Sequence, residues 1–242
     1  MREARPSPAA GGTAMHQMYQ EYPYESGAAN VNHGYLCPAI ERGLSVLPEG
    51  ARVLDIGCGN GSLTAAWAKR GWDVTGVDLS ESGIAHAKAS YPEIVFHKMA
   101  VGPELVEHFG EGSFDAIVSA EVVEHLYAPR DLTQSAFRLL KNGGILILTT
   151  PYNGYLKNVV LAVTGTMDRH CTALWDCGHI KFWSWKTIQC LLAEVGFISP
   201  EFHGAGRLPF LWKSMVVRAR KPGRSSSPLQ NKPRPERPCR RK

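Results

Sequence analysis

The chain has 242 residues, 44% of them hydrophobic, which suffices for a real core in one α/β domain with tails. Its formal charge of +5 is localised: ten Lys/Arg and one acid stand from Arg218 onward, so Met1–Val217 carries 17 basic against 21 acidic residues, a net of −4. No apolar run approaches the roughly 18 residues of a membrane span, and six cysteines (37, 58, 171, 177, 190, 239) with no CxxC pair or secretion signal read as reduced cytoplasmic thiols, not a disulfide framework.

Residues 1–18, opening "MREARPSPAAGGTA", read as disordered, and Met15 or Met18 could be the true start. "YESGAANVNHGYL" (24–36) precedes the first core helix. Apolar, β-rich runs then alternate with helical patterns. "ARVLDIG" (51–57) predicts a buried strand, "SLTAAWAKRG" (62–71) a helix closed by Gly71, "DVTGVDLS" (73–80) a second strand and "ESGIAHAKASY" (81–91) a second helix. "IVFHKMA" (94–100) and "FDAIVSA" (114–120) follow as strands, "DLTQSAFRLLKNG" (131–143) as a helix and "GILILTT" (144–150) as a fifth strand. Residues 155–183 break the rhythm and read as a lid-like insertion over the carboxyl ends of the strands. "SWKTIQCLLAEVG" (184–196) predicts a late helix, and 198–204 and 213–220 two final strands. The alternation argues for an α/β fold with a doubly wound sheet, over a domain of residues 19–220. From 221 to 242 the chain is rich in Pro, Ser and Arg, without apolar period, and reads as a disordered basic tail suited to weak contact with anionic lipid or nucleic acid.

The most specific signal is "LDIGCGNGS". Asp55 ends the first strand, and Gly57, Gly59 and Gly61, with Cys58 and Asn60 between them, make a turn that lets backbone approach a ligand closely. The spacing is GxGxG, not the GxGxxG of dinucleotide binding. Asp78 ends the second strand, where a carboxylate can accept both hydroxyls of a ribose.

These residues, with "FDAIVSAEVVEHL" and "LLKNGGILILTTPYN", resemble the motifs of the class I S-adenosylmethionine-dependent methyltransferases, over roughly residues 40–220. The resemblance implies a Rossmann-like, seven-stranded sheet whose last strand is antiparallel. It places Asp55 and the glycine loop by the methionine part of S-adenosylmethionine, Asp78 at its ribose and Leu79 along its adenine. Relatives often carry an acid after the third strand. Here Met99 and Ala100 stand there, so the Ala100 contact is expected from backbone. In this fold the 24–36 segment often closes over the cofactor, which makes His33 and Tyr35 candidate lid residues.

"SAEVVEHLYAP" sets Glu121, Glu124 and His125 at i, i+3 and i+4, one side of the chain if it turns helically. The segment is similar to two branches of the superfamily, the ubiquinone-biosynthesis O-methyltransferases and the small-RNA 3′-terminal 2′-O-methyltransferases. That likeness implies a divalent cation (Mg, Mn, Fe or Zn) at Glu121, Glu124 and His125, with His179 of "GHIKFWSWKTI" completing the site. It also nominates His125, Glu121 and His179 as catalytic. A cation would acidify the acceptor hydroxyl and fix its direction of attack. Against this stand a cation-free site, with Glu121 facing the methionine amino group and His125 as general base, and a rival zinc cluster of His170, Cys171, Cys177 and His179.

Tyr152 and Asn153 fall over the expected acceptor pocket, and Trp175, Phe182, Trp183 and Trp185 suit a flat ring or an apolar tail. The sequence therefore points to O-methylation of a small aromatic, quinol-type acceptor by a cytoplasmic protein, peripheral to a membrane at most. The other readings are an RNA 2′-O-methyltransferase, disfavoured by the acidic folded part, a metal-free natural-product or sugar methyltransferase, and a cofactor-binding regulatory subunit.

Overall fold

A computed structural model describes Tyr24, residues 32–171, Leu174 and residues 178–223. The predicted disordered stretch 1–18 and residues 224–242 of the predicted tail 221–242, together with Trp175 and Cys177, lie outside the described residues, while Lys221 is bonded to the β5 edge through its amide to the Gly144 carbonyl at 2.9 Å. The chain runs α1 (His33–Leu44), β1 (Arg52–Ile56), α2 (Ser62–Ala68), β2 (Asp73–Asp78), α3 (Glu81–Ser90), β3 (Val95–Lys98), α4 (Pro103–Phe109), β4 (Phe114–Ala120), α5 (Pro129–Leu139), β5 (Leu140–Pro151), α6 (Tyr155–Val163), α7 (Met167–Cys171), α8 (Trp185–Val195), β6 (Ile198–Ala205) and β7 (Ser214–Arg220).

One seven-stranded sheet has the order β3-β2-β1-β4-β5-β7-β6. The pairs from β3 to β5 are parallel, and β7 lies antiparallel between β5 and β6, so the last strand runs against the rest as expected. Strand order reverses at β1 and β4, and in such sheets the crevice at the carboxyl ends beside the reversal takes the ligand.

The two-residue period of the strands builds the core on both faces. Leu54, Ile56, Ile117, Leu146 and Leu148 point to one side, where α5 and α8 bring Leu132, Leu139, Ile188 and Leu192. Their neighbours Val53, Ala116, Val118, Ile145 and Ile147 point to the other, against Ile40 and Leu44 of α1 and Trp67 of α2. Each large aliphatic side chain so buried contributes about 1.5–3 kcal/mol.

Three sequence expectations are corrected. The strand predicted from 144 begins at Leu140, and α5 stops at Leu139 instead of running to 143, because Leu140 pairs with Phe114 across the sheet. Helix α4 was not anticipated. Its seven residues start at a proline and are bounded by Gly102 and Gly110, too short for a visible period. His33 and Tyr35 belong to α1 itself and do not precede it. Asn32 stands at its N-cap without a side-chain cap bond, and Pro38 inside the helix obscures its pattern.

Candidate active site

The turn from β1 to α2 is locked by backbone bonds to β2: the amides of Gly57 and Cys58 both donate to the Val77 carbonyl, at 2.8 and 3.0 Å. Gly57, Gly59 and Gly61 all have positive φ, +84, +54 and +77°. A side chain at Gly57 would strike Val122, and one at Gly59 the ring of Tyr24. Asp78 is oriented by two amides, Gly59 N on Oδ2 at 2.8 Å and Ser80 N on Oδ1 at 2.7 Å. Asn60 Oδ1 accepts from the Ser62 hydroxyl at 3.0 Å, which also meets His33 Nδ1 at 3.0 Å and so ties α1 to the loop. Leu79 and Ala100 are half-buried beside Asp78, and the Met99 amide donates to the Asp78 carbonyl at 2.9 Å.

Asp55 is 1% exposed. Its Oδ2 accepts from the Thr64 hydroxyl at 2.6 Å, while Oδ1 is buried without a hydrogen-bond partner among the described residues. Burial pushes its carboxyl up to about 7. A buried orphan carboxylate oxygen below a glycine cradle, with Asp78 at its far rim, fits a ligand that carries both an ammonium and a ribose.

The segment after β4 is a turn, not a helix: the His125 amide donates to the Val122 carbonyl at 2.9 Å, and Glu121 adopts φ +56°. That backbone separates Glu121 from its neighbours. The Thr149 hydroxyl accepts from the Glu121 amide at 3.0 Å and donates to Glu121 Oε1 at 2.8 Å. Burial pushes the Glu121 carboxyl up to about 7, against the Thr149 and Ser214 hydroxyls and Lys157, which favour its ionised form.

Glu124 is fully buried, and neither carboxylate oxygen has a hydrogen-bond partner among the described residues. Burial first, and then the charge of Glu121, raise its proton affinity well above the ordinary range. His125 Nε2 and His179 Nε2 each lie 4.0 Å from Glu124 Oε1, and the two rings are 5.0 Å apart. The amides of Ile180 and Lys181 both donate to the Glu124 carbonyl at 3.0 Å, and Trp183 Nε1 to that of Val123 at 3.3 Å. These bonds fasten the segment carrying His179 to the turn carrying Glu124. Burial, then His125, hold the His179 imidazole down at about 4, so it is neutral at pH 7.

One donor atom from each of Glu124, His125 and His179 falls within a 4.8 Å group. A buried carboxylate without a hydrogen-bond partner among the described residues is costly while ionised, and a proton or a cation beside the two imidazoles would neutralise it; two imidazoles with one carboxylate suit Zn, Fe or Mn. The donor set fits a divalent cation. Glu121 is not in the group, nor, among the described residues, are His170 and Cys171 of the rival cluster.

On the acceptor side, Tyr152 stacks on Phe202 at 5.8 Å and meets Trp212 edge-on at 5.2 Å, while Trp185 packs on Phe202 at 5.7 Å. Tyr152 and Trp185 thus belong to a packed aromatic group, and Asn153 turns its amide to the Pro151 carbonyl at 3.2 Å. Phe182 is 53% exposed. Sequence reasoning missed Thr149, Ser214 and Lys157, whose burial beside Glu121 leaves no mark on local periodicity. It also missed Tyr24 as the residue over Gly59, although the 24–36 segment had been singled out.

A family model described as a methyltransferase domain matches residues 29–198. The ubiquinone biosynthesis O-methyltransferase of Psychrobacter arcticus is 29% identical over 182 residues, 72% of this chain and 70% of that protein. Its namesake in Caulobacter sp. is 40% identical over 121 residues, 48% of this chain and 47% of that protein, so the chain spans about half the length of that relative. Among solved structures, a SAM-dependent methyltransferase from Archaeoglobus fulgidus superposes with a TM-score of 0.60 at 16% identity, covering 77% of this chain and 93% of that one. Haemonchus contortus phosphoethanolamine N-methyltransferase 2, in complex with S-adenosyl-L-methionine, gives 0.57 at 19% identity, covering 77% and 52%. At these identities the structural likeness carries the fold alone.

Proposed function

The chain belongs to the S-adenosylmethionine-dependent methyltransferase family, and from that premise we propose that it methylates a hydroxyl of a small aromatic, quinol-type acceptor beside a divalent-cation site of Glu124, His125 and His179. The observation that carries this reading is the buried Glu124 carboxylate, without a hydrogen-bond partner among the described residues and with Oε1 4.0 Å from both imidazoles. The names of the curated relatives support the quinol-type acceptor.

The glycine turn lies along the methionine part of the methyl donor, and Asp78 holds its nucleoside end by accepting from the ribose hydroxyls. Asp55, its carboxyl buried under the loop, faces the methionine end. The methyl carbon passes from the sulfonium sulfur to the acceptor oxygen by in-line displacement: the C–S bond breaks, a C–O bond forms and the hydroxyl proton leaves. A divalent cation at Glu124, His125 and His179 would supply Lewis acidity toward the acceptor hydroxyl. His125, which donates through Nδ1 to the Gly178 carbonyl at 3.2 Å, keeps the lone pair on Nε2 aimed at Glu124. Glu121, anchored by Thr149, provides a carboxylate able to take up the released proton.

The test is release of S-adenosylhomocysteine over a panel of catechols, quinols, sugars and short RNAs, with and without EDTA. Turnover confined to catechols or quinols and abolished by chelator is expected; full activity in chelator would sink the cation assignment.

A further inference from the structure

We propose that Trp183 is a positioning residue for the divalent cation, its indole holding the strap that carries His179 to the turn that carries Glu124 and His125. The inference rests on the cation reading above. It gives a role outside the ligand set to a side chain that the sequence offers as part of an aromatic acceptor wall.

The three ligands come from two segments of unequal support. The turn after β4 is anchored to its neighbours: the Glu121 amide donates to the Thr149 carbonyl at 3.2 Å, and Val122 packs against Gly57, where an added Cβ would strike it. His179 instead stands in residues 178–184, which belong to no helix or strand. Ordering irregular backbone costs conformational entropy, so cross-bonds to the turn decide how well the His179 imidazole keeps its place.

Those bonds grip the two peptide planes that flank the Glu124 Cα. The Ile180 and Lys181 amides donate to the Glu124 carbonyl at 3.0 Å, which fixes the plane shared with His125. Trp183 Nε1 donates to the Val123 carbonyl at 3.3 Å, and that carbonyl lies in the same planar unit as the Glu124 nitrogen. His125 Nδ1 adds its bond to the Gly178 carbonyl at 3.2 Å. The first two donors are main chain, and His125 is itself a ligand. Of this set, therefore, the Trp183 bond is the one that a substitution removes without touching a ligand or the backbone. Val123 is fully buried, so the fold offers its carbonyl no water in place of the indole. Trp183 also packs, half-buried, against the core face that α5 and α8 cover. Phenylalanine keeps most of that packing and loses the donor. Because the cation draws on both segments, cation and closed strap stabilise each other by the same factor.

The experiment compares full-length, chelator-stripped wild type and Trp183→Phe by calorimetric titration with Mn²⁺. The variant is expected to bind roughly two- to tenfold more weakly, the range of one net hydrogen bond. Its affinity for S-adenosylhomocysteine should stay within about twofold of wild type, because the Gly57 and Cys58 amides are held by Val77 and not by the strap. A second measurement uses wild type alone and stands even if the variant fails to fold. By NMR, hydrogen exchange of the Trp183 indole N–H should slow by a like factor when Zn²⁺ saturates the protein. Equal Mn²⁺ binding by the two proteins overturns the proposal, as does indole exchange that Zn²⁺ leaves unchanged. Parallel losses of cation and S-adenosylhomocysteine affinity would mark a merely structural role and also overturn it. Wild type that binds neither cation would overturn the cation reading itself, and this proposal with it.

Discussion

The Nδ1 atom of His125 lies 3.2 Å from the carbonyl oxygen of Gly178. That bond fixes the His125 tautomer and, through the peptide that follows, seats His179 beside His125 against the same Glu124 oxygen. Two segments more than fifty residues apart are thus registered on one buried carboxylate. Substitution His179→Ala or Glu124→Gln should weaken divalent-cation binding by at least about tenfold to a hundredfold, the loss that even outer-shell partners cause. Titration calorimetry with Mn²⁺ or Zn²⁺ checks this.

Gly61 combines φ +77° with close packing: a Cβ would lie 2.7 Å from Phe96 Cζ and 2.9 Å from Ala87 Cβ. Gly61→Ala should therefore cost roughly 2–4 kcal/mol, adding left-handed strain to overpacking. Thermal unfolding should show a melting temperature lower by roughly 5–10 °C for a chain of this size.

How far the sequence reveals this site depends on which physical signal each residue leaves. The glycine loop and Asp78 are legible because a strand, a tight turn, a helix and a second strand follow in order. The seven strands are legible because β-rich runs alternate with helical ones. Glu121 is different. Its spacing to Glu124 and His125 suits a helix face, but the chain there turns with Glu121 in the left-handed region, which no periodicity records. Helix α1 is masked by Pro38 within its first two turns. Lys157 reads as one more solvated cation until the fold shows that α6 buries it.

Asp78→Ala should reduce S-adenosylmethionine affinity by roughly tenfold to a hundredfold, since it removes charge-assisted bonds to ribose and frees the Gly59 and Ser80 amides that the carboxylate now engages. Asp78→Asn, which keeps one acceptor oxygen, should lose less. Equilibrium dialysis with the labelled cofactor distinguishes the two.

Asp55 sets a pH dependence. Its folded-state proton affinity is raised, to about 7, so the native state holds a proton that the unfolded chain releases near pH 4. Its contribution to stability is complete at low pH and is lost as pH rises between about 4 and 7. Asp55→Asn removes that loss. Relative to wild type the variant should gain stability as pH rises across that window, by up to about 4 kcal/mol. Urea unfolding of both proteins at pH 4.5 and pH 8 provides the comparison, and a difference independent of pH would show that Asp55 ionises normally in the fold.

Thr149→Val removes the hydroxyl that both accepts from the Glu121 amide and donates to its Oε1. Leaving that buried carboxylate short of a donor should cost about 1–3 kcal/mol. The pH–rate profile should move to higher pH as Glu121 becomes harder to ionise.

The central claim is that Glu124, His125 and His179 hold one divalent cation. Its most direct test is calorimetric titration of chelator-stripped protein with Mn²⁺ or Zn²⁺, run in parallel on wild type and Glu124→Gln. The account predicts one cation per chain for wild type and none at the same concentrations for the variant. Absence of binding to wild type, or equal binding by both proteins, would contradict it.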